Sequence, residues 1–277
     1  MSAVQPRKVD FTRPEEDRLF VASLARGLAV LAAFSPDRVN MSAGELARAT
    51  GLPKSTITRL THTLIQLGYL SFSEDSGRFQ LHPRILSLGY PVLAGVDRRH
   101  VAGPLMQELA DSSGGTVSLG IRDGLGMILI ERSRSRTVRA LPLDIGSRLP
   151  LETTAMGRAY FALAGGAERE AILRLYQETV PDRLAEVAES FDAAVAEYRA
   201  HGYCRAVGSW QPDVNAVGVA VRMSSETLAA FNCGGPADRL PATVLDDLGP
   251  RLAELAGYFE TAEWVGQLPP RPGRGAL

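Results

Sequence analysis

The stretch SAGELARATGLPKSTITRLTHTLIQLG, residues 42–68, decides the fold because it encodes two helices joined by a sharp turn. Ser42 and Glu45 have the spacing of a capping box, so a short helix begins there. Gly51 supplies the positive φ that a sharp turn requires. A longer helix is predicted over about 54–67, with a proline before it and a glycine after it, as helix ends prefer.

The segments on either side complete a small domain. A helix with apolar residues at helical spacing is predicted over about 18–34. Two short runs of alternating apolar residues at 69–81 flank an Asp-Ser-Gly turn, which is typical of a β-hairpin. Three helices followed by a hairpin form the layout of a winged helix-turn-helix, so the sequence predicts that fold for residues 17–82.

The longer helix of this domain has two chemically different faces. Ile57, Leu60 and Leu64 form an apolar stripe, and the polar residues point the other way. Such a polar face can lie in the DNA major groove, with side chains at base edges and phosphates. A solvated face with hydroxyls that cap the helix is the alternative interpretation. The predicted DNA contacts are Lys54, Ser55, Thr56, Thr58, Arg59 and His62 on this helix, and Arg26, Arg48 and Arg78 around it.

Charge is distributed unevenly along the 277 residues. Residues 1–90 hold 11 Lys and Arg against 8 Asp and Glu, and the rest of the chain holds 19 against 23. A polyanionic partner therefore belongs to the N-terminal third. No apolar run reaches the roughly 18 residues of a membrane span, and the N-terminus lacks an apolar signal-peptide core. With Cys204 and Cys233 as the only cysteines, these features favour a cytoplasmic protein.

The remaining sequence predicts a linker and a second domain. A helix over about 91–112 lies in the linker, residues 83–112. Beyond it, strand patterns come in close pairs and alternate with helix patterns, which favours an α+β fold with a mostly antiparallel sheet. The strands are predicted at 116–122, 127–132, 138–143, 204–208, 215–223 and 228–235, and the helices at 155–164, 168–177, 183–200 and 241–259. The Pro- and Gly-rich tail, residues 263–277, is predicted to be disordered.

Patterns of catalysis and metal binding are missing from the sequence. None of the four histidines has a second histidine at i+3 to i+5, and the two cysteines fit core positions. No G-x-S-x-G elbow or phosphate-binding glycine loop occurs, and neither cysteine has an activating base close in sequence. The sequence therefore predicts no enzyme, no metal site and no cofactor.

Motifs along about residues 19–260 resemble those of the IclR family of bacterial transcription regulators. SLARGLAVLAAF at 23–34 resembles the first helix of the family, ELARATGLPKSTITRLTHTLIQLGYL at 45–70 its helix-turn-helix, and GRFQLHPRILSLG at 77–89 its wing and linker. GSRLPLETTAMGRAYFA at 146–162 resembles the loop and helix used in effector recognition, and HGYC and LAAFNCGGP match later landmarks. The resemblance implies a DNA-binding domain and a GAF-like effector-binding domain at 113–262. It also implies that the chain dimerises through its DNA-binding domain, and in many members of the family the dimers pair into tetramers.

The resemblance also implies a pocket for a small-molecule effector in the second domain. The residues it assigns to the pocket are Val138, Leu141, Ala155, Met156, Trp210, Val214, Ala216, Asn232 and Gly234. Plain core packing is the alternative for Val138, Leu141 and Val214. Two departures from the family pattern, GSWQPDVNAVGVAV at 208–221 and Met156, fall at this pocket, so the ligand cannot be copied from a relative.

The pocket residues favour a small organic acid as the effector. Free N–H groups at the start of the helix at 155–164 suit a carboxylate, with Trp210 or Met156 against the carbon skeleton. An aromatic acid is the specific case in which Trp210 stacks on a ring. Arg136, Arg139 and Arg148 around the same loop offer a competing anion site.

Two functions follow from these observations. The first is a regulator that binds a near-palindromic operator as a homodimer, with recognition helices about 34 Å apart, under effector control. The second is a metabolite sensor that acts through protein partners. The polar, basic face at 54–62 favours the first, because a protein-binding face would expose apolar anchors there.

Overall fold

The computed structural model describes residues 19–94, 99–135, 143–223 and 227–261. The chain divides into two compact units, Met1–Gly95 and Val96–Leu277. The division falls inside the predicted linker. The predicted disordered tail and most of the strand predicted at 138–143 lie outside the described residues.

The first unit is a winged helix-turn-helix, as predicted. Its elements are α1 (Ala22–Ala32), β1 (Asn40–Met41), α2 (Ala43–Thr50), α3 (Lys54–Gln66), β2 (Leu70–Ser73), β3 (Arg78–Leu81), a 3₁₀ turn (Pro83–Ile85) and α4 (Leu86–Ala94). The strands form an antiparallel sheet in the order β1-β3-β2. Strand β1 was not predicted, because two residues are too few to show an alternating pattern.

The predicted capping box and turn form as expected. The backbone N–H of Ser42 donates to Glu45 Oε2 at 2.7 Å, and the N–H of Glu45 donates to Ser42 Oγ at 3.3 Å. Gly51 ends α2 with a φ of 73°. A core in which Val30, Leu46 and Ile57 are completely buried then fixes the three helices around one another.

The helix predicted over about 91–112 is confirmed at residues 91–94 and 99–112, begins earlier than predicted, and crosses residues 95–98, which lie outside the described residues. The structure has α4 from Leu86 to Ala94 and α5 from Arg99 to Ser113. The predicted helix begins at Pro91. Pro91 instead lies inside α4, whose first turn follows directly from the 3₁₀ turn at Pro83–Ile85.

The second unit is a six-stranded antiparallel sheet with helices on both faces. Its elements are α5 (Arg99–Ser113), β4 (Thr116–Asp123), β5 (Gly126–Arg134), β6 (Arg148–Pro150), α6 (Ala155–Leu163), α7 (Gly166–Thr179), a 3₁₀ turn (Pro181–Arg183), α8 (Leu184–His201), β7 (Cys204–Val207), β8 (Val214–Arg222), β9 (Leu228–Pro236) and α9 (Ala242–Thr261). The strand order is β6-β5-β4-β9-β8-β7. The predicted α+β class and antiparallel sheet are confirmed, and the short β6 lies in a predicted loop.

The two faces of this sheet pack against different helices. Helices α5 and α9 cover one face, where Phe231 packs edge-on against Phe259 with ring centroids 5.2 Å apart. Helix α6 lies on the other face, over β8 and β9, with α8 packed against it. Because side chains alternate along a strand, every second residue of β4, β8 and β9 points towards α6.

Within the described residues, no helix is long and apolar enough to cross a membrane. The same residues contain no group of three or more His, Cys, Asp or Glu side chains placed to hold a metal ion.

Candidate functional site

Helix α3 presents most of the predicted DNA-contact residues on one solvent-exposed face. Lys54, Ser55, Thr58, Arg59 and His62 are exposed, and Thr56 is half-buried. The opposite face buries Ile57, Thr61 and Leu64 in the core of the unit. The Thr61 hydroxyl donates to the carbonyl of Ile57 at 2.9 Å, so its polar group is satisfied within the helix. The exposed face is thus held rigidly and is free to meet a partner.

Arg78 makes contacts within the first unit that the sequence did not reveal. From the wing strand β3, its guanidinium donates to Glu45 Oε2 and to the carbonyl of Asn40, both at 2.9 Å. Hydrogen bonds from Ser42, followed by the ion pair with Arg78, lower the pKa of Glu45 to about 2. Arg78 therefore fastens the wing to the capping box of α2.

The other arginines that were predicted to contact DNA differ in their exposure to solvent. Arg48 is exposed on α2 and lines a groove with Arg38, Glu45 and Arg78. Arg38 was missed because it lies in the loop between α1 and β1, outside any helix face that a pattern can reveal. Arg26 is half-buried on α1, and its Nε is buried without a hydrogen-bond partner among the described residues. Arg38 and Arg48 are better placed than Arg26 to meet a phosphate.

The second unit contains a narrow cavity between α6 and the sheet. The volume of this cavity is only about 30 Å³. The lining residues are Thr116, Ser118, Leu143, Leu149, Thr154, Ala155, Ala206, Trp210, Val214, Ala216, Asn232 and Gly234. They include six predicted pocket residues, namely Ala155, Trp210, Val214, Ala216, Asn232 and Gly234. Val138 and Leu141 lie outside the described residues.

Met156 differs from its predicted placement against the ligand. Its side chain is completely buried in the core cluster of the unit and does not line the cavity. A Cβ atom placed on Gly120 would lie 2.5 Å from Met156 Sδ, so the thioether fills the space that this glycine leaves on β4. The Met156 backbone, in contrast, remains at the first turn of α6.

The start of α6 offers backbone donors at the cavity wall. Thr154 caps the helix by accepting a hydrogen bond from the N–H of Gly157 at 3.2 Å and donates to the carbonyl of Pro150 at 2.6 Å. The N–H groups of Ala155 and Met156 have no hydrogen-bond acceptor among the described residues. A helix start with free N–H groups attracts anions.

One side-chain oxygen without a hydrogen-bond partner belongs to a residue that lines the cavity. In the described part of the chain, the buried side-chain oxygens that lack a hydrogen bond belong to Thr153, Ser209 and Asn232. Of these three residues, Asn232 lines the cavity. Buried polar groups are nearly always paired, so the unpaired oxygen of Asn232 is an unusual feature of the cavity wall.

Two arginines bear on the charge of the cavity. Arg148, predicted as a competing anion site, pairs instead with the carboxylate of Asp123, and Arg136 and Arg139 lie outside the described residues. Arg132 was missed by the sequence analysis. It pairs with Ser118 across the strands, so it shares the cavity face of the sheet.

The side chain of Arg132 is only 5% exposed, and its guanidinium lies 3.6 Å from a carboxylate oxygen of Asp144. Burial, followed by repulsion from Arg134, lowers the pKa of Arg132. Among the described lining residues of the cavity none is charged. Among the described lining residues, the backbone N–H groups at the start of α6 are therefore the feature that favours an anion.

Comparison with known proteins identifies both units. The IclR helix-turn-helix domain matches residues 23–74, and the bacterial transcriptional regulator IclR C-terminal domain matches residues 91–258. The HTH-type transcriptional regulator TsaQ1/TsaQ2 of Comamonas testosteroni is 32% identical over 91% of this chain and 91% of its own.

Solved structures show the same relationship. An IclR family transcriptional regulator from Brucella abortus is 41% identical with a TM-score of 0.74, over 88% of this chain and 93% of that one. An IclR homologue complexed with 4-hydroxybenzoate, from Microbacterium hydrocarbonoxydans, is 24% identical with a TM-score of 0.69, over 86% and 98%, and shares the fold. The chain therefore belongs to the IclR family of DNA-binding transcriptional regulators and is not an enzyme.

Proposed function

We propose that this regulator binds a near-palindromic operator in the bacterial cytoplasm as a homodimer, and that a small organic acid controls the binding. The observation that carries the proposal is the face of α3, where hydroxyls and cations stand exposed opposite a buried apolar stripe. Ser55, Arg59 and His62 repeat at helical spacing along this face. Such an arrangement suits a recognition helix in the major groove.

Exposed apolar residues on two other helices support a dimer. Around α1 and along α4 the side chains of Leu19, Val21, Leu24, Leu28, Leu86, Leu88, Tyr90 and Val92 are all more than half exposed. Monomeric proteins rarely expose this much apolar surface in one small domain. A second copy of the first unit would cover these residues and leave the face of α3 open. Two recognition helices would then read half-sites about 34 Å apart.

The effector cavity supports a carboxylic acid as ligand. The free N–H groups of Ala155 and Met156 would hold the carboxylate. Val214, Ala216 and Trp210 would contact the carbon skeleton. The similar structure from Microbacterium hydrocarbonoxydans is a complex with 4-hydroxybenzoate, which makes aromatic acids the first compounds to test.

The narrowness of the cavity links ligand binding to conformation. Because the volume of the cavity is only about 30 Å³, an aromatic ring can enter only if the side chain of Trp210 or Leu143 moves. Both of these residues are half-buried. A ligand that binds the opened form better than the closed form shifts the population towards the opened form. This differential binding would give the effector its control over the operator.

Operator binding is tested with a recognition-helix variant and a matched control. The operator is first selected from random DNA, and an inverted repeat is expected among the selected sequences. Arg59→Ala should weaken binding by about 1–3 kcal/mol in a fluorescence-anisotropy titration at fixed salt. Arg174→Ala, an exposed arginine on α7 of the second unit, should leave the affinity unchanged. Equal effects of both variants would argue against α3 as the recognition helix.

Carboxylate binding is tested by removing one backbone donor. Ala155 is the first residue of α6, where proline is well tolerated, and Thr154 has the extended backbone that precedes proline (φ −101°, ψ 147°). Ala155→Pro should lower the affinity for benzoate about tenfold, since a charge-assisted hydrogen bond is lost, and lower that for neutral benzamide less, because its carbonyl accepts a weaker hydrogen bond. An unchanged benzoate affinity would place the carboxylate elsewhere.

A further inference from the structure

We propose that the groove beside α2 binds the phosphate backbone of DNA through Arg38 and Arg48. Arg78 lines the same groove but is held out of this contact by Glu45. The inference rests on the proposed function, because it takes α3 to lie in the major groove. It adds a contact that does not depend on base sequence, and it gives different roles to arginines that share one groove.

The groove lies between residues 37–41, helix α2 and the start of β3, and its volume is about 670 Å³. Residues 37–41 contribute Arg38, α2 contributes Glu45 and Arg48, and β3 contributes Arg78. Helix α2 is the first helix of the helix-turn-helix. When the second helix of this motif lies in the major groove, the first helix crosses the DNA backbone. A groove that has α2 as one wall is therefore well placed to receive phosphates.

The charge of Arg78 is neutralised within the protein. Its Nη1 donates to Glu45 Oε2 and to the carbonyl of Asn40, both at 2.9 Å, and its Nη2 donates to Glu45 Oε1 at 3.3 Å. Two parallel bonds of this kind are the preferred geometry of an arginine with a carboxylate. A phosphate that displaced Glu45 would leave its carboxylate unpaired and next to a second anion. Arg78 therefore stabilises the wing and does not contact DNA.

Arg38 and Arg48 differ from Arg78 because their side chains have no carboxylate partner. Both are exposed, and within the described part of the chain neither side chain forms a hydrogen bond or an ion pair. Arg48 Nη1 lies 3.7 Å from the position of a Cβ atom added to Gly44, so the side chain extends back towards the start of α2. The backbone N–H of Arg38 donates to the carbonyl of Ser35 at 2.8 Å, which fixes the turn that carries it. Both guanidinium groups are thus available to a phosphate, with which arginine pairs well.

The balance of charge in the groove also favours an anion. Three arginines and two carboxylates, those of Asp37 and Glu45, line it, so its net charge is +1. Once Glu45 is matched with Arg78, the two remaining arginines outnumber the one remaining carboxylate. A surplus of positive charge in a groove attracts the DNA backbone, most strongly at low salt.

The test measures how operator affinity depends on salt, by fluorescence anisotropy between about 50 and 200 mM KCl. Each phosphate contact adds about 0.9 to the slope of log affinity against log salt concentration. Arg38→Ala and Arg48→Ala should each reduce the slope by about 0.9, so over this range the wild type loses about 3.5-fold more affinity than either variant. Each variant should weaken binding to the operator and to an unrelated duplex by the same factor, because phosphate contacts carry no sequence information. Neither variant should lower the melting temperature.

One charge-neutral double variant and one distant variant serve as controls. Glu45→Gln combined with Arg78→Met removes the ion pair without changing the net charge of the groove, and glutamine still suits the capping box. This double variant should keep the wild-type slope and lower the melting temperature, because the wing loses its bonds to α2 and to the carbonyl of Asn40. Arg174→Ala, on α7 of the second unit, should change neither quantity.

The outcomes separate this inference from the function on which it rests. If Arg38→Ala or Arg48→Ala keeps the wild-type slope while Arg59→Ala weakens operator binding, the two-arginine site is overturned and the recognition helix stands. A slope reduced by about 0.9 in the double variant would place Arg78 on the DNA and overturn its exclusion. A similar reduction in Arg174→Ala would show that the salt effect does not come from the groove. If the wild type binds no DNA, both proposals fall.

Discussion

Replacing Gly218 by alanine should move the start of α6 and thereby weaken effector binding. A Cβ atom on Gly218 would lie 2.2 Å from the carbonyl oxygen of Ala155 and 2.7 Å from the nitrogen of Met156. Contacts under 3.0 Å are essentially never observed for a Cβ atom, and these partners are backbone atoms that no side-chain rotation removes. Helix α6 must therefore shift away from β8.

The size of the effect follows from this overlap. Overpacking of a well-filled core costs about 1–3 kcal/mol, and here the shift also separates Met156 from the space over Gly120. The same shift displaces the Ala155 and Met156 N–H groups from the cavity wall. We therefore expect Gly218→Ala to lower the free energy of unfolding of the second unit by about 1–3 kcal/mol and to weaken benzoate binding at least tenfold.

Urea denaturation of the full chain and calorimetry of the variant provide the assay, with Gly257→Ala as the control. Gly257 lies in α9 and has no atom within 4 Å of an added Cβ. The same chemical change should therefore stabilise the protein there by about 0.5–1 kcal/mol, because alanine favours a helix over glycine. Wild-type stability of Gly218→Ala would refute the packing argument. Lower stability with unchanged benzoate affinity would refute the link between α6 and the ligand.

Three further predictions concern the two units. In the folded state the pKa of Glu45 is about 2, below its ordinary value of 4.5. The stability that Glu45 contributes is therefore present above pH 4.5 and is lost as the pH falls towards 2. Thermal melts of Glu45→Gln should show a weaker loss of stability over this pH range. A fragment of residues 96–277 should melt cooperatively and bind benzoate, whereas an insoluble fragment would show that the second unit needs the first. Leu24→Glu should shift the chain towards monomers in analytical ultracentrifugation. The control Val207→Glu changes a residue of the second unit that is also more than half exposed, and it should not shift the chain towards monomers.

The first unit is predictable from sequence because its signals are local. The capping box of Ser42 and Glu45, the positive φ of Gly51 and the apolar spacing in α3 all act within a few residues. Their geometry follows from backbone sterics that are the same in every protein. The clamp between Arg78 and Glu45 joins residues 33 apart in sequence, so no local pattern contains it.

The effector cavity is only partly predictable because its walls are set by the register of the strands. The start of α6 and the strand of Asn232 are both visible in the sequence, but their proximity requires the pairing of β8 with β9. Met156 was placed at the ligand because the family resemblance puts the start of this helix at the pocket. The direction of its side chain depends instead on Gly120, a glycine on another strand that leaves room for it.

Because of Gly218 and Gly120, two glycines on different strands, helix α6 contributes both to the core and to the wall of the cavity. Gly218 lets the backbone of α6 lie directly on β8, and Gly120 receives the side chain of Met156. Ala155 and Met156 are consecutive, yet the side chain of the first lines the cavity and that of the second fills the core. A ligand whose carboxylate is held by the N–H groups of Ala155 and Met156 would therefore also act on the packing of Met156. The proposed effector would therefore act beyond its own pocket, because Ala155, which would meet it, is bonded to Met156, which packs between the helix and the sheet.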